Sequence, residues 1–343
     1  MQRNIQNFLN EAVKDGVFPG CVCAIINNEQ VQYYVSGNKS IYPSAEPLDK
    51  GTLYDLASLT KVVSTTPLIL KLIQEKKISY QTPVCQILPQ FQNKEVTIQH
   101  LLCHTSGFPA DLGWKFGTEK NIILEDIYNF ARNVKPEEKV IYSDIGFILL
   151  GEIIAKITHG RLEVASRKYV FEPLEMDNTT YLPEQVEKCA PTEICPYTHG
   201  LLKGVVHDRK ARCFGGVAGH AGVFSSIEDL VHYVIMILND GVYNGHVFLD
   251  KCYIDDLFKK NTREGQVPRS IGFLCYDENG FFSKKNSIHT IGHTGFSGTS
   301  LVIDRDKKTG IILLSNRIHP YRENNKILEW RKKFHDFIMS AKI

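Results

Sequence analysis

Strand patterns lie near both ends of the chain, while helical apolar spacing fills the region between them. Residues 20–35 show the alternation of two strands around an Asn-Asn turn. Residues 291–303, a polar turn and the apolar run 311–315 give a second hairpin pattern. Because hairpin strands run antiparallel, the two patterns predict one antiparallel sheet assembled from both ends of the chain, with helices inserted between.

Helices are predicted on both sides of these strands. The first covers Ile5 to Val13, where apolar residues recur at helical spacing, and the last covers Asn324 to Ser340. Between the hairpins, helical spacing recurs in residues 62–76, 96–103, 122–133, 145–158 and 227–239. Gly, Pro and Asn breaks separate these segments.

The composition is that of a globular protein and indicates no polyanionic partner. Of 343 residues, 43% are hydrophobic and 23% are charged, which is enough apolar material for a full core. The formal net charge is +2 and no run of five like charges occurs, so nucleic-acid binding is not expected. No segment has the ~20 apolar residues of a membrane span, and the first residues lack the unbroken apolar stretch of a secretory signal.

The nine cysteines are odd in number and include no CxxC pair, which is typical of reduced and mostly buried thiols. Cys21 and Cys23 are two residues apart and would share one face of a strand. Together with the absence of a signal-like stretch, this cysteine usage predicts a cytoplasmic protein. Export would require a native leader outside this sequence.

The tetrapeptide Ser58-Leu59-Thr60-Lys61 is the first candidate catalytic feature. Residues three apart lie on one helix face, so the Ser58 hydroxyl and the Lys61 amine can meet at the start of the apolar helix that comes next. Serine becomes a strong nucleophile only when a base takes its proton, and a lysine serves as that base when its surroundings lower its pKa. The same tetrapeptide also fits an ordinary serine N-cap, so its meaning depends on motifs further along the chain.

Two further candidate motifs come later in the chain. Tyr142-Ser143-Asp144 directly precedes the helical segment 145–158, where a tyrosine hydroxyl can point into a cleft and carry a proton. His293-Thr294-Gly295 comes after a strand pattern, and the glycines at 292 and 295 allow close approach to the backbone. Taken singly, each motif also fits a structural role, as a helix start and as a bulged strand.

In this order the three motifs resemble the signature of the serine β-lactamases and penicillin-binding proteins: Ser-x-x-Lys, then Tyr-x-Asn or a relative, then Lys/His-Thr-Gly. The chain is similar to the class C β-lactamase branch, which also holds DD-peptidases, D-aminopeptidases and carboxylesterases. Three further stretches agree with that branch: residues 16–20, 98–107 and 219–226. The resemblance extends over about residues 5 to 340.

The resemblance implies an α+β fold in which an antiparallel sheet is sandwiched by helices. Residues 1–75 and 215–343 would form the sandwich domain, and residues 76–214 a mainly helical inserted domain. The active site would then lie in the cleft between the two domains.

The resemblance also implies a mechanism. Ser58 is expected to attack an ester or amide carbonyl while Lys61 and Tyr142 share its proton, and the backbone N–H groups of Ser58 and Phe296 are expected to hold the oxyanion. Tyr142 would then protonate the leaving group and help to activate water. A small molecule or short peptide is the expected substrate, and neither a cofactor nor a metal is expected.

Two residues depart from the pattern of the family's β-lactamases and are expected, together with Thr294 and Gly295, to set substrate choice. Asp144 stands where those enzymes commonly have asparagine, and an ionised carboxylate cannot donate to an amide carbonyl and would stabilise protonated Lys61. His293 replaces their usual lysine and occurs in some DD-peptidases and D-aminopeptidases. Both departures argue against a dedicated β-lactamase, although Asp144 also fits a plain helix cap.

Three functions remain open at this point. A cytoplasmic esterase or D-amino-acid peptidase agrees best with His293 and with the absence of a signal-like stretch. A cell-wall DD-carboxypeptidase or a β-lactamase agrees with the family but would need export. An inactive binding homologue is disfavoured because the serine, lysine and tyrosine are all present.

Three other histidine or glycine patterns are assigned no chemistry. His100 and His104 have the spacing of a metal-binding helix but lack the glutamate of HExxH. The glycine-rich residues 215–222 lack the spacing of a phosphate loop and predict a tight turn that lines the cleft. The pair His207-Asp208 is interpreted as structural because no GxSxG motif accompanies it.

Overall fold

The computed structural model describes residues 2–28 and 30–341. Its strands are β1 (Gly20–Asn27), β2 (Gln30–Ser40), β3 (Glu46–Pro47), β4 (Tyr54–Asp55), β5 (Thr180–Tyr181), β6 (Val223–Ser225), β7 (Val242–Tyr243), β8 (His246–Val247), β9 (Leu274–Cys275), β10 (Thr290–Thr294), β11 (Ser300–Asp304) and β12 (Thr309–Ser315). Its α-helices are α1 (Gln2–Lys14), α2 (Thr66–Gln74), α3 (Val84–Ile87), α4 (Ile98–Leu102), α5 (Lys120–Ala131), α6 (Asp144–Thr158), α7 (Leu162–Ser166), α8 (Arg209–Cys213), α9 (Ile227–Leu238), α10 (Lys251–Phe258) and α11 (Ile327–Ser340). Short 3₁₀ turns cover Ala57–Leu59, Glu172–Leu174 and Val186–Lys188, and π-helical turns cover Lys61–Thr65 and Arg167–Phe171.

The main sheet joins the two ends of the chain. Seven strands lie in the order β3-β2-β1-β12-β11-β10-β9, and every pair of neighbours is antiparallel. On β1, Cys23 lies opposite Tyr34 of β2 on one side and opposite Leu313 of β12 on the other. The N-terminal and C-terminal hairpins therefore pair directly, which confirms the predicted antiparallel sheet.

The alternation of residues along β1 gives the sheet two buried faces. Cys21 and Cys23 pack with residues of α1 and α11, among them Leu9 and Phe334. Val22 points to the opposite face and belongs to the larger core, which includes residues of α2, α6 and α9. Because helices cover both faces, the predicted sandwich is confirmed.

The region of the third motif differs from the expectation. Residues 291–303 are two strands rather than one, because β10 ends at Thr294 and β11 begins at Ser300. In the loop between them, which we call the 295–299 loop, the Gly298 N–H donates to the carbonyl of residue 295 at 3.1 Å, and Gly298 adopts a φ of +120°. Only glycine reaches that conformation without strain, so a tight turn interrupts an otherwise strand-like pattern.

Two predicted helices begin differently in the structure. The last helix starts at Ile327 instead of Asn324, since the Arg317 guanidinium binds the Asn324 carbonyl and the Asn325 side chain ahead of it. Ser58 itself lies in a 3₁₀ turn, and a π-helical turn follows before α2 begins. The other predicted helical segments coincide, to within a few residues at each end, with α1, α4, α5, α6 and α9.

The middle region contributes more than helices. Residues 76–214 carry α3 to α8 and the short strand β5. β5 pairs with β6, and β6 pairs with β4, so a three-stranded sheet connects the middle region to the segment that leads into Ser58. The domain boundaries at residues 75 and 215 stay a prediction.

All nine cysteines are free thiols, and six of them are buried. Within residues 2–28 and 30–341, each helix is too short or too polar to cross a membrane. The cytoplasmic location stays a prediction of the sequence.

Candidate active site

Ser58 lies in a sharp turn directly after β4. Asp55 of β4 pairs with Phe224 of β6, and the chain then turns at Ala57, which has a φ of +46°. This left-handed conformation is unfavourable for a residue other than glycine. The Asp55 carboxylate stabilises the turn because it accepts hydrogen bonds from the Ala57 N–H at 2.8 Å and from the His207 N–H at 2.7 Å. The turn leaves Ser58 partly exposed in a cleft.

The Lys61 ammonium lies directly behind the Ser58 hydroxyl. Its side chain is fully buried, and Nζ donates to Ser58 Oγ at 3.0 Å and to the His220 carbonyl at 3.1 Å. Asp144 Oδ1 lies 2.8 Å from the same nitrogen. Burial lowers the pKa of Lys61, but the Asp144 carboxylate and the Tyr142 hydroxyl outweigh burial, so that the pKa is raised above its ordinary value. Lys61 therefore holds its proton at neutral pH.

Asp144 is the first residue of α6 but does not cap it through its side chain. The N-cap position is Ser143, whose hydroxyl donates to the Pro109 carbonyl, between α4 and α5, at 2.6 Å. The Asp144 carboxylate is shared by two lysines, with Oδ1 facing Lys61 and Oδ2 lying 2.9 Å from Lys210 Nζ. Burial raises the pKa of Asp144, but Lys61, His220 and Lys210 outweigh it and hold that pKa well below its usual range. The structure thus favours the electrostatic interpretation of Asp144 over the helix cap.

The ring of Tyr142 is surrounded by two imidazoles and two cations. Its centroid lies 4.6 Å from that of His104 and 5.9 Å from that of His293. Lys61 Nζ and Arg269 Cζ lie 4.9 Å and 5.1 Å from the same centroid. Burial lowers the pKa of both histidines, that of His293 to about 3, so both imidazoles are neutral. The positive charge around Tyr142 is therefore that of Lys61 and Arg269.

The third motif lies behind the site rather than in its wall. His293 is only 3% exposed, and its Nδ1–H donates to the Thr294 carbonyl at 2.9 Å. Thr294 pairs with Ser300 across the strands. Within the described part of the chain, the cleft wall contains Phe296 and none of the residues 293 to 295. The motif therefore supports Tyr142 and the 295–299 loop from behind.

The 295–299 loop packs against the turn that carries Ser58. The Ser297 hydroxyl donates to the Asp55 carbonyl at 2.7 Å, and the Thr299 hydroxyl donates to the Leu56 carbonyl at 3.2 Å. Both carbonyls belong to residues that immediately precede the Ser58 turn. The loop and the turn are thus held together at two points.

These elements enclose a cleft of about 790 Å³. Its wall contains Ser58, Tyr142, Asp144 and Phe296, and Lys61 is buried beside Ser58. The structure therefore brings together the first two motifs and the residue after the third. The remaining wall residues are Ala57, Asp111, Gly113, Trp114, Lys115, Phe116, Tyr197, His207, Asp208, Arg209, Lys210, Ala221 and Arg322.

Some residues of the site belong to none of the three motifs. His220 lies in the glycine-rich turn, which contributes Ala221 to the cleft wall, and its Nε2 lies 2.8 Å from Asp208 Oδ1. His207 and Asp208, interpreted as structural, both line the cleft. Lys210 belongs to no motif, and the only sequence signal for it is the His-Asp pair that ends two residues before it.

One group of side chains resembles a metal site. The ligand atoms of Asp144, Asp208 and His220 lie within 4.8 Å of one another. However, the two oxygens of Asp144 already face the ammonium groups of Lys61 and Lys210. Because these cations balance the carboxylate charge, we interpret the group as an ion-pair network.

Comparisons with known proteins agree with the predicted family. The family model described as Beta-lactamase matches residues 5–333. A "Putative D-alanyl-D-alanine carboxypeptidase" of Salmonella agona (strain SL483) is 32% identical over 315 residues, which cover 80% of this chain and 72% of that protein. Two solved structures share the fold, each covering 97% of this chain and 98% of its own: EstCE1, a hydrolase with promiscuous acyltransferase activity (TM-score 0.79, 18% identity), and a class C β-lactamase from Rhodobacter sphaeroides (TM-score 0.76, 17% identity).

The contact between the 295–299 loop and the Ser58 turn predicts that Gly295 tolerates no side chain. A Cβ at this position would lie 2.1 Å from Thr299 Oγ1 and 2.5 Å from the Leu56 carbonyl oxygen. We expect Gly295→Ala to reduce the free energy of unfolding by about 1–3 kcal/mol, as overpacking of a tight contact does. Urea denaturation measures this, with Gly51→Ala as control because its Cβ would meet only Asp49 Oδ1 at 3.5 Å. If the two variants have the same free energy of unfolding, the predicted close contact at Gly295 is wrong.

Proposed function

The chain belongs to the β-lactamase family, and from this premise we propose that it hydrolyses an ester or amide through an acyl-enzyme on Ser58. The observation that carries the proposal is the 3.0 Å hydrogen bond from Lys61 Nζ to Ser58 Oγ at a cleft that also contains Tyr142. A serine next to a buried lysine is the arrangement that activates a hydroxyl for acyl transfer.

In the proposed reaction, Ser58 Oγ attacks the carbonyl carbon and its proton passes to the pair formed by Lys61 and Tyr142. Lys61 must first lose its own proton, so the active form of the enzyme is the one in which this amine is neutral. Tyr142 then delivers a proton to the leaving alkoxide or amine as the bond to carbon breaks. Water then attacks the acyl-enzyme and gives a proton to the same pair, which passes it to Ser58 Oγ as the bond to the acyl carbon breaks, so that the acid and free Ser58 are released.

The backbone N–H groups of Ser58 and Phe296 are the proposed donors to the oxyanion. Two hydrogen bonds tie the 295–299 loop to the Ser58 turn and keep these two N–H groups in a fixed relation. A donor of this kind typically contributes about 10²–10³ in rate, because it is aimed at charge that forms only in the transition state.

Esters are the proposed preferred substrates. The Asp144 carboxylate can only accept hydrogen bonds, and both of its oxygens are occupied by lysines, so it offers no donor to a substrate amide carbonyl. The fold shared with a hydrolase of promiscuous acyltransferase activity is consistent with ester chemistry. A second candidate is D-alanyl-D-alanine carboxypeptidase activity, which the 32% identical relative favours.

The first prediction from this proposal is covalent labelling of Ser58. A fluorophosphonate probe should add to this residue, as peptide mapping by mass spectrometry would show. Ser58→Ala should lose the label and at least about 10³-fold of the esterase turnover, because removing the nucleophile leaves only the rest of the site. The surface variant Ser79→Ala serves as control, and an adduct on another serine would refute the mechanism.

Substrate ranking gives a second prediction. Because Asp144 cannot donate to an amide carbonyl, a short-chain nitrophenyl ester should have a higher kcat/KM than a chromogenic cephalosporin. Penicillins are expected to acylate slowly, which intact-mass measurement would detect. A preference for the cephalosporin would restore β-lactamase activity as the function.

The third prediction concerns the acidic limb of the pH profile of kcat/KM. Activity requires neutral Lys61, so it is lost as the pH falls through the pKa of this lysine, which Asp144 raises. Asp144→Asn removes that attraction, lowers the pKa of Lys61 and should move the acidic limb to lower pH. It should also improve turnover of amide substrates, because the new side chain can donate.

The matched control for Asp144→Asn is Glu172→Gln, which neutralises a carboxylate in a surface ion pair with Arg167. This variant should keep the wild-type profile. If Asp144→Asn moves neither the acidic limb nor the turnover of amide substrates, Asp144 does not control the Lys61 proton.

A further inference from the structure

Lys210 reaches into the cleft wall from the first turn of α8. Asp208 caps this helix, since its Oδ1 accepts a hydrogen bond from the Ala211 N–H at 2.8 Å. Lys210 Nζ lies 2.9 Å from Asp144 Oδ2 and 2.6 Å from Asp111 Oδ2, and its side chain is only 16% exposed. The ammonium group is therefore held between two carboxylates that belong to different segments of the chain.

The Asp144 carboxylate consequently forms ion pairs with two ammonium groups. Lys61 faces one oxygen at 2.8 Å and Lys210 the other at 2.9 Å. Two ammonium groups that bind the same carboxylate repel each other, and the repulsion is stronger where burial reduces the effective dielectric constant. Any charge on Lys210 therefore disfavours the charged form of Lys61, while Asp144 favours it.

The other charged groups around this network fall into two sets. Asp111 and Asp208 add negative charge near Lys210, and Asp208 is itself paired with His220. Around Lys61 the neighbours are Tyr142 and the neutral His104 and His293, with the Arg269 cation beyond the tyrosine ring. His220 also acts on the Asp144 carboxylate electrostatically, but Lys210 is the cation that lies, together with Lys61, within ion-pair distance of it among the described residues.

We propose that Lys210 is a positioning residue for the hydrolase: it shares the Asp144 carboxylate with Lys61 and so weakens the hold of that carboxylate on the Lys61 proton. The inference rests on the proposed function of the same site. Lys210 takes no part in bond making or breaking; it acts through Asp144. Without Lys210, the Asp144 carboxylate would strongly favour the charged form of Lys61. The second ammonium group reduces the free-energy cost of removing the Lys61 proton.

A purely structural role for Lys210 makes a different prediction. In that case the lysine only ties α8 to the loop that carries Asp111, and its removal would affect stability without displacing the pH dependence of the reaction. The two roles are therefore separated by the pH profile and not by loss of activity alone.

The experiment measures kcat/KM for a nitrophenyl ester as a function of pH in the full chain. Lys210→Met should move the acidic limb to higher pH, so that activity on that limb falls about three- to tenfold below wild type, because Lys61 is then left alone with Asp144. Lys210→Arg keeps the charge and should restore the wild-type limb. Lys120→Met, which breaks the ion pair with Glu152 outside the cleft, should not move it.

Asp111→Asn provides a test in the opposite direction that does not depend on the folding of Lys210→Met. Asp111 is exposed, and its neutralisation leaves Asp144 as the nearest carboxylate of Lys210. The acidic limb should then move to lower pH. The proposal is overturned if folded Lys210→Met keeps the acidic limb of the wild type. It is also overturned if Lys210→Arg displaces the limb as Lys210→Met does, or if Asp111→Asn leaves the limb unmoved.

Labelling of Ser58 separates this inference from the proposed function. If the fluorophosphonate probe fails to label Ser58 in the wild-type protein, the serine hydrolase proposal itself fails. If Ser58 is labelled and the variants of Lys210 and Asp111 keep the wild-type pH profile, only the role of Lys210 is refuted.

Discussion

The buried residue Asp55 connects three segments that are far apart in sequence, and the geometry of the site depends on these contacts. Its carboxylate accepts hydrogen bonds from the Ala57 and His207 N–H groups, and its carbonyl accepts one from the Ser297 hydroxyl. Burial raises the pKa of Asp55, and the two N–H donors oppose this effect. Loss of the carboxylate would leave two buried N–H groups without an acceptor and would release the left-handed turn at Ala57.

The range of the interactions decides how much of this arrangement can be predicted from the sequence. Hydrophobic periodicity predicts the sheet from both ends of the chain, because each hairpin is a local feature. The order of the motifs predicts that Ser58, Lys61 and Tyr142 come together, since it resembles a known signature. The tight turn after Thr294 escapes prediction because the sequence pattern also fits a bulged strand, and the positive φ of Gly298 is visible only in the structure.

Contacts between remote polar residues cannot be predicted in this way. Lys210 meets Asp144 across 66 positions of the chain, and no spacing rule connects two such residues. The His207-Asp208 pair indicates polar chemistry in this wall, but it does not indicate the partner of Asp208, which is His220. His293 is expected to contact the substrate because of its place in a motif, whereas the structure places its ring behind Tyr142.

The 295–299 loop is held from behind by positive charge as well as by hydrogen bonds. Arg317 Nε donates to the Phe296 carbonyl at 3.1 Å, and Arg331 Nη2 donates to the Gly298 carbonyl at 3.2 Å. Both guanidinium groups are buried, and among the described residues neither has a carboxylate within ion-pair distance. Burial lowers the pKa of Arg331 to about 10, and repulsion from Arg317 contributes to this shift. Because the two guanidinium groups are buried and repel each other, they stabilise negative charge that forms in front of the loop. The proposed reaction would form its oxyanion there.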